Sequence, residues 1–318
     1  MYEDCVGFYK VKVTSPKNIA HPLLPVKRNN SSIYGEGTWT GWYYSEELIN
    51  AAKFGYSYEI LEGYLFDSAE IFSGYIDKLY QMKEQSQKDT PNYVISKLLM
   101  NSLYGRFGMK RSMVNHEVLK QKNVNTFIEK IGFDNFINKV DIGNKALVSY
   151  NLQFQRTPKI NMAISAAITA NSRIVMSQYK NNPDYNLYYS DTDSIFIDKP
   201  LPDQLVSSKT LGLMKLEHVL TKFVALGPKV YGGVDVDGNE FTKTKGLKTS
   251  LSLIDLENLL TEDNSLNLKQ DKWFNNLIDG SITIKNSPYN LRPTSFKRDL
   301  IYDNGILIGT KNKILTEE

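Results

Sequence analysis

Apolar and polar positions alternate at the start of the chain. Tyr9, Val11 and Val13 interleave with Phe8, Lys10 and Lys12, the period-two pattern of a short strand. Thr14 to Ser32 holds three prolines and many polar residues and reads as loop. The segment Tyr34-Gly-Glu-Gly-Thr-Trp-Thr-Gly-Trp sets three glycines among aromatics, which suits a tight turn feeding a strand. Ser45-Glu-Glu-Leu opens a helix with Ser45 as its N-cap. Tyr56 to Phe66 reads as a strand, and Ile71, Tyr75, Leu79 and Met82 recur at helical spacing within 69–84. Asp89-Thr-Pro-Asn breaks that helix. A second helix runs from about Tyr93 to Tyr104, with Gly105 and Gly108 ending it, so the two form a helical hairpin with a polar tip. Residues 111–148 are polar and show no clear period. Asn161 to Lys180 is a helix with small residues, Ala163, Ala166, Ala167 and Ala170, able to pack closely on a neighbour. Leu187-Tyr-Tyr, a polar Ser-Asp-Thr-Asp, and Ser-Ile-Phe-Ile make a hairpin with acids at its tip. Beyond Leu251 the pattern turns helical and polar. Helices and antiparallel hairpins in mixed order predict an α+β class.

Composition narrows the function classes. The chain has 318 residues, enough for one large domain or two modest ones. With 41% hydrophobic and 23% charged residues, it is not a disordered chain. A net charge of +3 is too weak for a nucleic-acid coat protein, although charge concentrated in one groove still permits a nucleic-acid enzyme. The lone Cys5 excludes an internal disulfide framework and a cysteine-based zinc site. His21, His116 and His218 are far apart and read as surface or packing residues. No window reaches the apolar length of a spanning helix. The acidic start, Met1-Tyr-Glu-Asp-Cys, resembles neither a secretory nor an organellar import peptide.

Two constellations carry candidate chemistry. In Tyr188-Tyr189-Ser190-Asp191-Thr192-Asp193-Ser194, an extended backbone would turn Asp191 and Asp193 to one face. Two carboxylates so close repel unless a cation lies between them, and hard oxygen donors suit Mg²⁺ or Mn²⁺ rather than zinc. A solvated turn is the plain alternative. In the second, Lys97, Asn101 and Tyr104 stand at i, i+4 and i+7 of a helix, with Ile95, Leu99 and Leu103 as its apolar face. A compact cation suits phosphate, and a phenol offers a flat surface to a sugar or base. An amphipathic helix with a solvated face is the plain alternative there.

Together the two are far more specific. Lys97-x-x-x-Asn101-Ser-x-Tyr104-Gly, followed by Tyr189-x-Asp191-Thr-Asp193-Ser, strongly resembles motifs B and C of family B DNA polymerases. Gly227-Pro-Lys229-Val-Tyr231 resembles the Lys-x-Tyr element of their protein-primed branch. The stretches KLLMNSLYGRFG and ISAAITANSRI are similar to polymerases of linear mitochondrial plasmids and mitochondrial genomes.

The resemblance, which covers essentially the whole chain, implies a right-hand fold: an antiparallel palm with helices, helical fingers and a small thumb. Residues 1–62 correspond to the palm-side region after motif A, 63–110 to fingers with motif B, and 111–148 to a possible insertion. Residues 149–246 correspond to palm with motif C and the Lys-x-Tyr element, and 247–318 to a thumb-like part. The implied reaction adds deoxynucleotides to a primer 3′ end by two-metal nucleotidyl transfer, with Mg²⁺ or Mn²⁺ held by Asp193 and its neighbour Asp191. Tyr189 and Thr192 would line the primer end. Lys97 would meet the triphosphate, and Asn101 and Tyr104 would shape the pocket around sugar and base. Lys83 is a candidate second phosphate contact, or a solvated helix-end lysine. Lys229 and Tyr231 would contact the primer strand. Lys245, in the basic loop Lys243-Thr-Lys245-Gly-Leu-Lys248, would touch backbone phosphate or simply be exposed. The implied partners are primer–template DNA, deoxynucleoside triphosphates and a terminal protein as primer. The implied setting is the mitochondrion, with replication of mitochondrial or plasmid DNA.

The chain also departs from the family. Motif A, Asp-x-x-Ser-Leu-Tyr-Pro, has no match in the sequence and is expected upstream of Met1, as are the exonuclease acids. Asp4 has none of the motif A context. The chain is therefore expected to be the C-terminal portion of a polymerase. A non-catalytic, DNA-binding remnant is the alternative. A metal-dependent glycosyltransferase using Asp191-x-Asp193 leaves the Lys97 helix face unexplained.

Overall fold

The structure is a computed structural model that describes residues 6–29, 31–110, 113–152, 160–276 and 280–315. Asp4 and Cys5 lie outside them. The chain divides into two compact units. The larger comprises 1–102, 163–266 and 290–318; the smaller comprises 103–162 and 267–289.

The larger unit is built on β1 (Gly7–Thr14), whose Tyr9, Val11 and Val13 are buried as the alternation predicts. A short strand, β2 (Pro25–Arg28), crosses the segment that reads as loop. It pairs with the start of β3 (Ser31–Tyr44), a 14-residue strand where a turn was expected. The glycines of this segment lie within the strand, and their reason is non-local. β-carbons on Gly35 and Gly37 would lie 2.5 and 2.1 Å from the carbonyl oxygens of Lys313 and Leu315, so only bare backbone admits the C-terminal strand there. Helix α1 (Ser45–Lys53) starts with Tyr44 as its N-cap. Ser45 does not cap it: its Oγ accepts the Gly7 N–H, which ties the helix start to β1. β4 (Ser57–Leu65) completes an antiparallel β3–β1–β4 order. Leu24, Val26, Trp39, Tyr43, Leu48, Ala51 and Tyr56 join the β1 residues in one core.

Helix α2 (Ser73–Glu84) and helix α3 (Pro91–Phe107) follow, separated by the expected break at Asp89, whose φ is 68°. α3 runs through Gly105 instead of ending there. Its expected apolar face is not buried: Ile95 is 48% and Leu99 40% exposed, whereas Ser96 is fully buried. Ser96 can be enclosed because its small side chain returns its hydroxyl to the Asn92 carbonyl at 2.6 Å.

The stretch without a clear sequence period lies in the smaller unit and is well formed. β5 (Met113–Lys120), helix α4 (Val124–Ile131), β6 (Phe136–Ile142) and β7 (Lys145–Leu152) make a three-stranded antiparallel sheet with a helix. Val124, Ile128, Ala146 and Val148 form its core. Polar residues on the open side of each element hid the period.

Helix α5 (Met162–Lys180) returns to the larger unit. Arg173 grips the buried Glu47 through two parallel bonds, Nε to Oε1 at 2.5 Å and Nη2 to Oε2 at 2.9 Å. Asn50 donates to Ser177, and Asn181 bonds both the N–H and the carbonyl of His21. The hairpin β8 (Leu187–Asp191) and β9 (Ser194–Ile197) precedes a three-stranded antiparallel sheet. That sheet comprises β10 (Leu220–Gly227), β11 (Val230–Asp235) and β12 (Glu240–Thr244).

After Leu251 the expected helical run is corrected. Among the described residues there, α6 (Leu253–Asn258) is the one helix that forms, opened by a capping box between Ser252 and Asp255. The remainder is strand: β13 (Leu266–Asn276), β14 (Ser281–Leu291), β15 (Asp299–Asp303), β16 (Ile306–Lys311) and β17 (Lys313–Leu315). Alternation such as Leu266, Leu268 and Gln270 against Asn267, Lys269 and Asp271 is a strand period. β17 pairs in parallel with β3 at the two glycines.

Two outcomes follow. Removing Glu47 as Glu47→Ala leaves the half-buried Arg173 guanidinium unpaired. It should cost about 3 kcal/mol in urea unfolding, the low end for a broken buried pair because Arg173 keeps some solvent. His21 is pushed down to about 4 by burial first, then by the Arg298 and Lys180 charges. Its unfolded form takes up a proton near 6.5, so stability is full above that value and is lost as pH falls towards about 4. Between pH 7 and 5 the parent should lose roughly 2 kcal/mol more than His21→Gln.

Candidate metal and nucleic-acid site

The acidic hairpin has a two-residue loop. Asp191 pairs with Ser194, which leaves Thr192 and Asp193 as the turn. The backbone there is not extended, so the shared face expected for Asp191 and Asp193 is not formed in that way. Asp191 ends its strand, and Asp193 is exposed in the loop. Thr192 folds back on Asp191: its N–H and its Oγ1 both donate to Oδ1, at 2.9 and 3.1 Å. The other carboxylate oxygen, Oδ2, accepts the Lys229 ammonium at 2.5 Å. Partial burial pushes the Asp191 carboxyl up, but the Lys229 and Thr192 donors outweigh it and hold the group below the usual carboxylate range. Lys229 is correspondingly held above the usual lysine range by Asp191.

Lys229 comes from the turn between β10 and β11, whose paired ends are Gly227 and Val230. Pro228 fixes the first turn position, and Lys229 follows at a positive φ of 61°, the pattern of a type II turn. A residue other than glycine is uncommon there, and its neighbours hold it. Its N–H donates to the Tyr189 hydroxyl at 2.8 Å, and its carbonyl accepts the Lys245 N–H at 3.0 Å. Lys229 is thus bound by its main chain to one strand of the acidic hairpin and by its side chain to the last residue of that strand.

Aromatic packing makes this possible. Tyr189 and Tyr231 lie 4.9 Å apart, and Phe196 stacks on Phe223 at 4.4 Å. Phe196 also meets Tyr189 and Tyr231, and Phe241 closes on Tyr231. Sequence reading found both tyrosines but missed the three phenylalanines. The available signal was the apolar pattern of β9, β10 and β12, although nothing local shows that these strands share a partner. Lys243 stands opposite Tyr231 in the sheet, with Lys245 just beyond it.

Lys180, at the end of α5, was also missed. Burial pushes its ammonium below the usual lysine range; Asp191 partly offsets this, while Lys297 adds to it. Among the expected residues, Asp191, Thr192, Tyr189, Lys229, Tyr231 and the Lys245 main chain are brought together. Lys97 and Asn101 project, exposed, from the part of α3 in the larger unit; Tyr104, 43% exposed, belongs to the part in the smaller unit. Lys83 lies over the Tyr80 ring at 4.8 Å and near Glu84 at 3.8 Å.

The hairpin donors are carboxylate and hydroxyl oxygens, which fit a hard divalent cation in kind. Among the described residues, no third acid, histidine or cysteine joins Asp191 and Asp193 to complete such a site.

The family described as DNA polymerase type B, organellar and viral, matches residues 1–186. A probable DNA polymerase of Neurospora intermedia is 40% identical over 291 residues, covering 88% of this chain and 30% of the relative. One from Ascobolus immersus is 37% identical over 320 residues, covering 97% of this chain and 26% of the relative. The chain therefore spans less than a third of these curated relatives. Among solved structures, Phi29 DNA polymerase complexed with primer–template DNA and incoming nucleotide substrates superposes with a TM-score of 0.65 at 17% identity. That match covers 92% of this chain and 52% of the other, and it shows the fold.

Phe196→Ala should open the aromatic block and cost about 2 kcal/mol, less than a fully buried phenylalanine because the residue is only partly buried. Thermal unfolding measures it. Phe196→Leu should recover most of the loss.

Proposed function

The chain belongs to the organellar and viral type B DNA polymerases, and from that premise we propose that it carries the motif B and motif C part of a primer-extending enzyme. The observation that carries the proposal is the Asp191 hairpin tip with Lys229 bonded to it. Asp191 and Asp193 would hold Mg²⁺ or Mn²⁺, which when bound neutralises charge on the primer hydroxyl and the triphosphate.

The chain's own residues do the rest. Asp191 is held ionised by its donors, ready to act as a ligand. Thr192 fixes one of its oxygens. Tyr189 and Tyr231, joined edge to face with the phenylalanines, offer a rigid aromatic wall to the primer end. Lys229 and the main-chain neighbour Lys245 bring positive charge where a primer phosphate would lie. Lys97, exposed on α3, would meet the triphosphate as a compact cation, with Asn101 and Tyr104 at the sugar and base and Lys83 as a second contact.

The primer–template duplex and deoxynucleoside triphosphates are the proposed substrates. A terminal protein as primer rests on the Gly227-Pro-Lys229-Val-Tyr231 element. A mitochondrial site of action rests on the family description and the fungal relatives.

Primer extension by the protein that contains this chain tests the reading. Asp193→Asn should lower extension at least about a thousandfold while duplex binding persists. Lys97→Ala should weaken nucleotide affinity about tenfold or more, the loss of one charge-assisted contact. Metal-insensitive extension, or extension in Asp193→Asn near the parent rate, would remove these acids from the site. Duplex binding without extension in the parent protein would leave a DNA-binding remnant.

A further inference from the structure

Lys229 holds two different kinds of contact. Its main chain is fixed at both ends, the N–H on Tyr189 and the carbonyl on the Lys245 N–H, in a turn that already requires a positive φ. Its side chain is 56% exposed and reaches Asp191 through a single point contact. The stem is flexible, so the ammonium can leave while the turn stays in place. Asp191 is differently constrained. One oxygen is held by Thr192 next to it in sequence, and the other accepts Lys229. A divalent cation approaching that second oxygen meets an ammonium already seated on it, and two cations cannot share one lone-pair direction without strong repulsion.

We propose that Lys229 is an exchangeable counter-ion of Asp191, seated on the carboxylate in the free protein and transferred to a primer phosphate when DNA is bound. The inference rests on the primer-extension reading above. Its consequence is thermodynamic coupling. A phosphate that draws the ammonium away frees the Asp191 oxygen, so DNA raises divalent-cation affinity, and a bound cation raises DNA affinity by the same factor. Lys180 does not share the role: it is largely buried at the end of α5, whereas Lys229 is exposed. The exchange also keeps local charge balanced, because Asp191 passes from one cation to another.

The test is Mn²⁺ affinity, read by the electron paramagnetic resonance of free Mn²⁺, with and without a primer–template duplex. In the parent protein, duplex should tighten Mn²⁺ binding about tenfold, within the usual range of coupling. Lys229→Met keeps the stem and removes the charge. It should bind Mn²⁺ several-fold more tightly than the parent in the absence of DNA, and the effect of duplex should shrink. Lys229→Arg, which keeps the charge, should not gain Mn²⁺ affinity in the absence of DNA. Thermal unfolding confirms that each variant is folded, and Lys229→Gln replaces Met if Met fails. The DNA-free arm is decisive, since DNA brings cation ligands of its own. Unchanged or weaker Mn²⁺ binding by Lys229→Met without DNA overturns the exchange and leaves the polymerase reading standing. A parent protein that binds neither Mn²⁺ nor duplex overturns both.

Discussion

Tyr189, Phe196, Phe223, Tyr231 and Phe241 hold the acidic hairpin against the three-stranded sheet that follows it, and the position of the candidate site depends on that packing. A two-stranded hairpin is marginal by itself. Here each strand offers one ring to the block, Tyr189 from β8 and Phe196 from β9. The sheet answers with one ring from each strand. The rings meet at tilted and stacked angles typical of favourable aromatic pairs. With the hairpin held, Tyr189 can accept the Lys229 N–H, and the turn can keep a lysine at a backbone angle that favours glycine. The link from sequence to function is therefore indirect. Apolar side chains fix two turns, and the turns fix the polar atoms.

Electrostatics works on a second scale. The net charge of +3 averages two units of different character. Lys and Arg outnumber Asp and Glu in 103–162 and 267–289, while acids predominate in the remainder. In the larger unit the individual charges matter more than the sum. Asp191 stays ionised because donors surround it, Lys180 is disfavoured as a cation because it is buried, and His21 is kept neutral for the same reason.

Much of this was legible in the sequence. β1, β4, α5 and the acidic hairpin follow from period and turn chemistry, which are local. The paired motifs name candidate site residues, and six of those candidates converge. What stayed hidden was set by partners distant in sequence. Gly35 and Gly37 look like turn residues until Leu315 is known to lie against them. Ser45 looks like a cap until Gly7 claims its hydroxyl. The bond between Asp191 and Lys229 spans 38 positions, and no periodicity reports it. The polar run after Leu251 reads as helix because its strand alternation is nearly all solvent-facing and offers little hydrophobic contrast.

Two of the carboxylate–cation pairs in the larger unit differ in chemistry in an informative way. Glu47 meets an arginine. The fork bonds both oxygens, Glu47 is buried, and the pair joins α1 to α5. A planar guanidinium matched to a carboxylate is hard to displace, which suits a structural joint. Asp191 meets a lysine instead. One ammonium touches one oxygen at the surface of a turn, and the second oxygen is satisfied locally by Thr192. An arginine there could take both oxygens and close the carboxylate to other cations. A lysine neutralises the acid without enclosing it, and its stem allows the charge to move a few ångströms while the backbone stays fixed. Arginine at the joint thus encloses its carboxylate from both oxygens, whereas lysine beside the hairpin tip holds its carboxylate by one oxygen only.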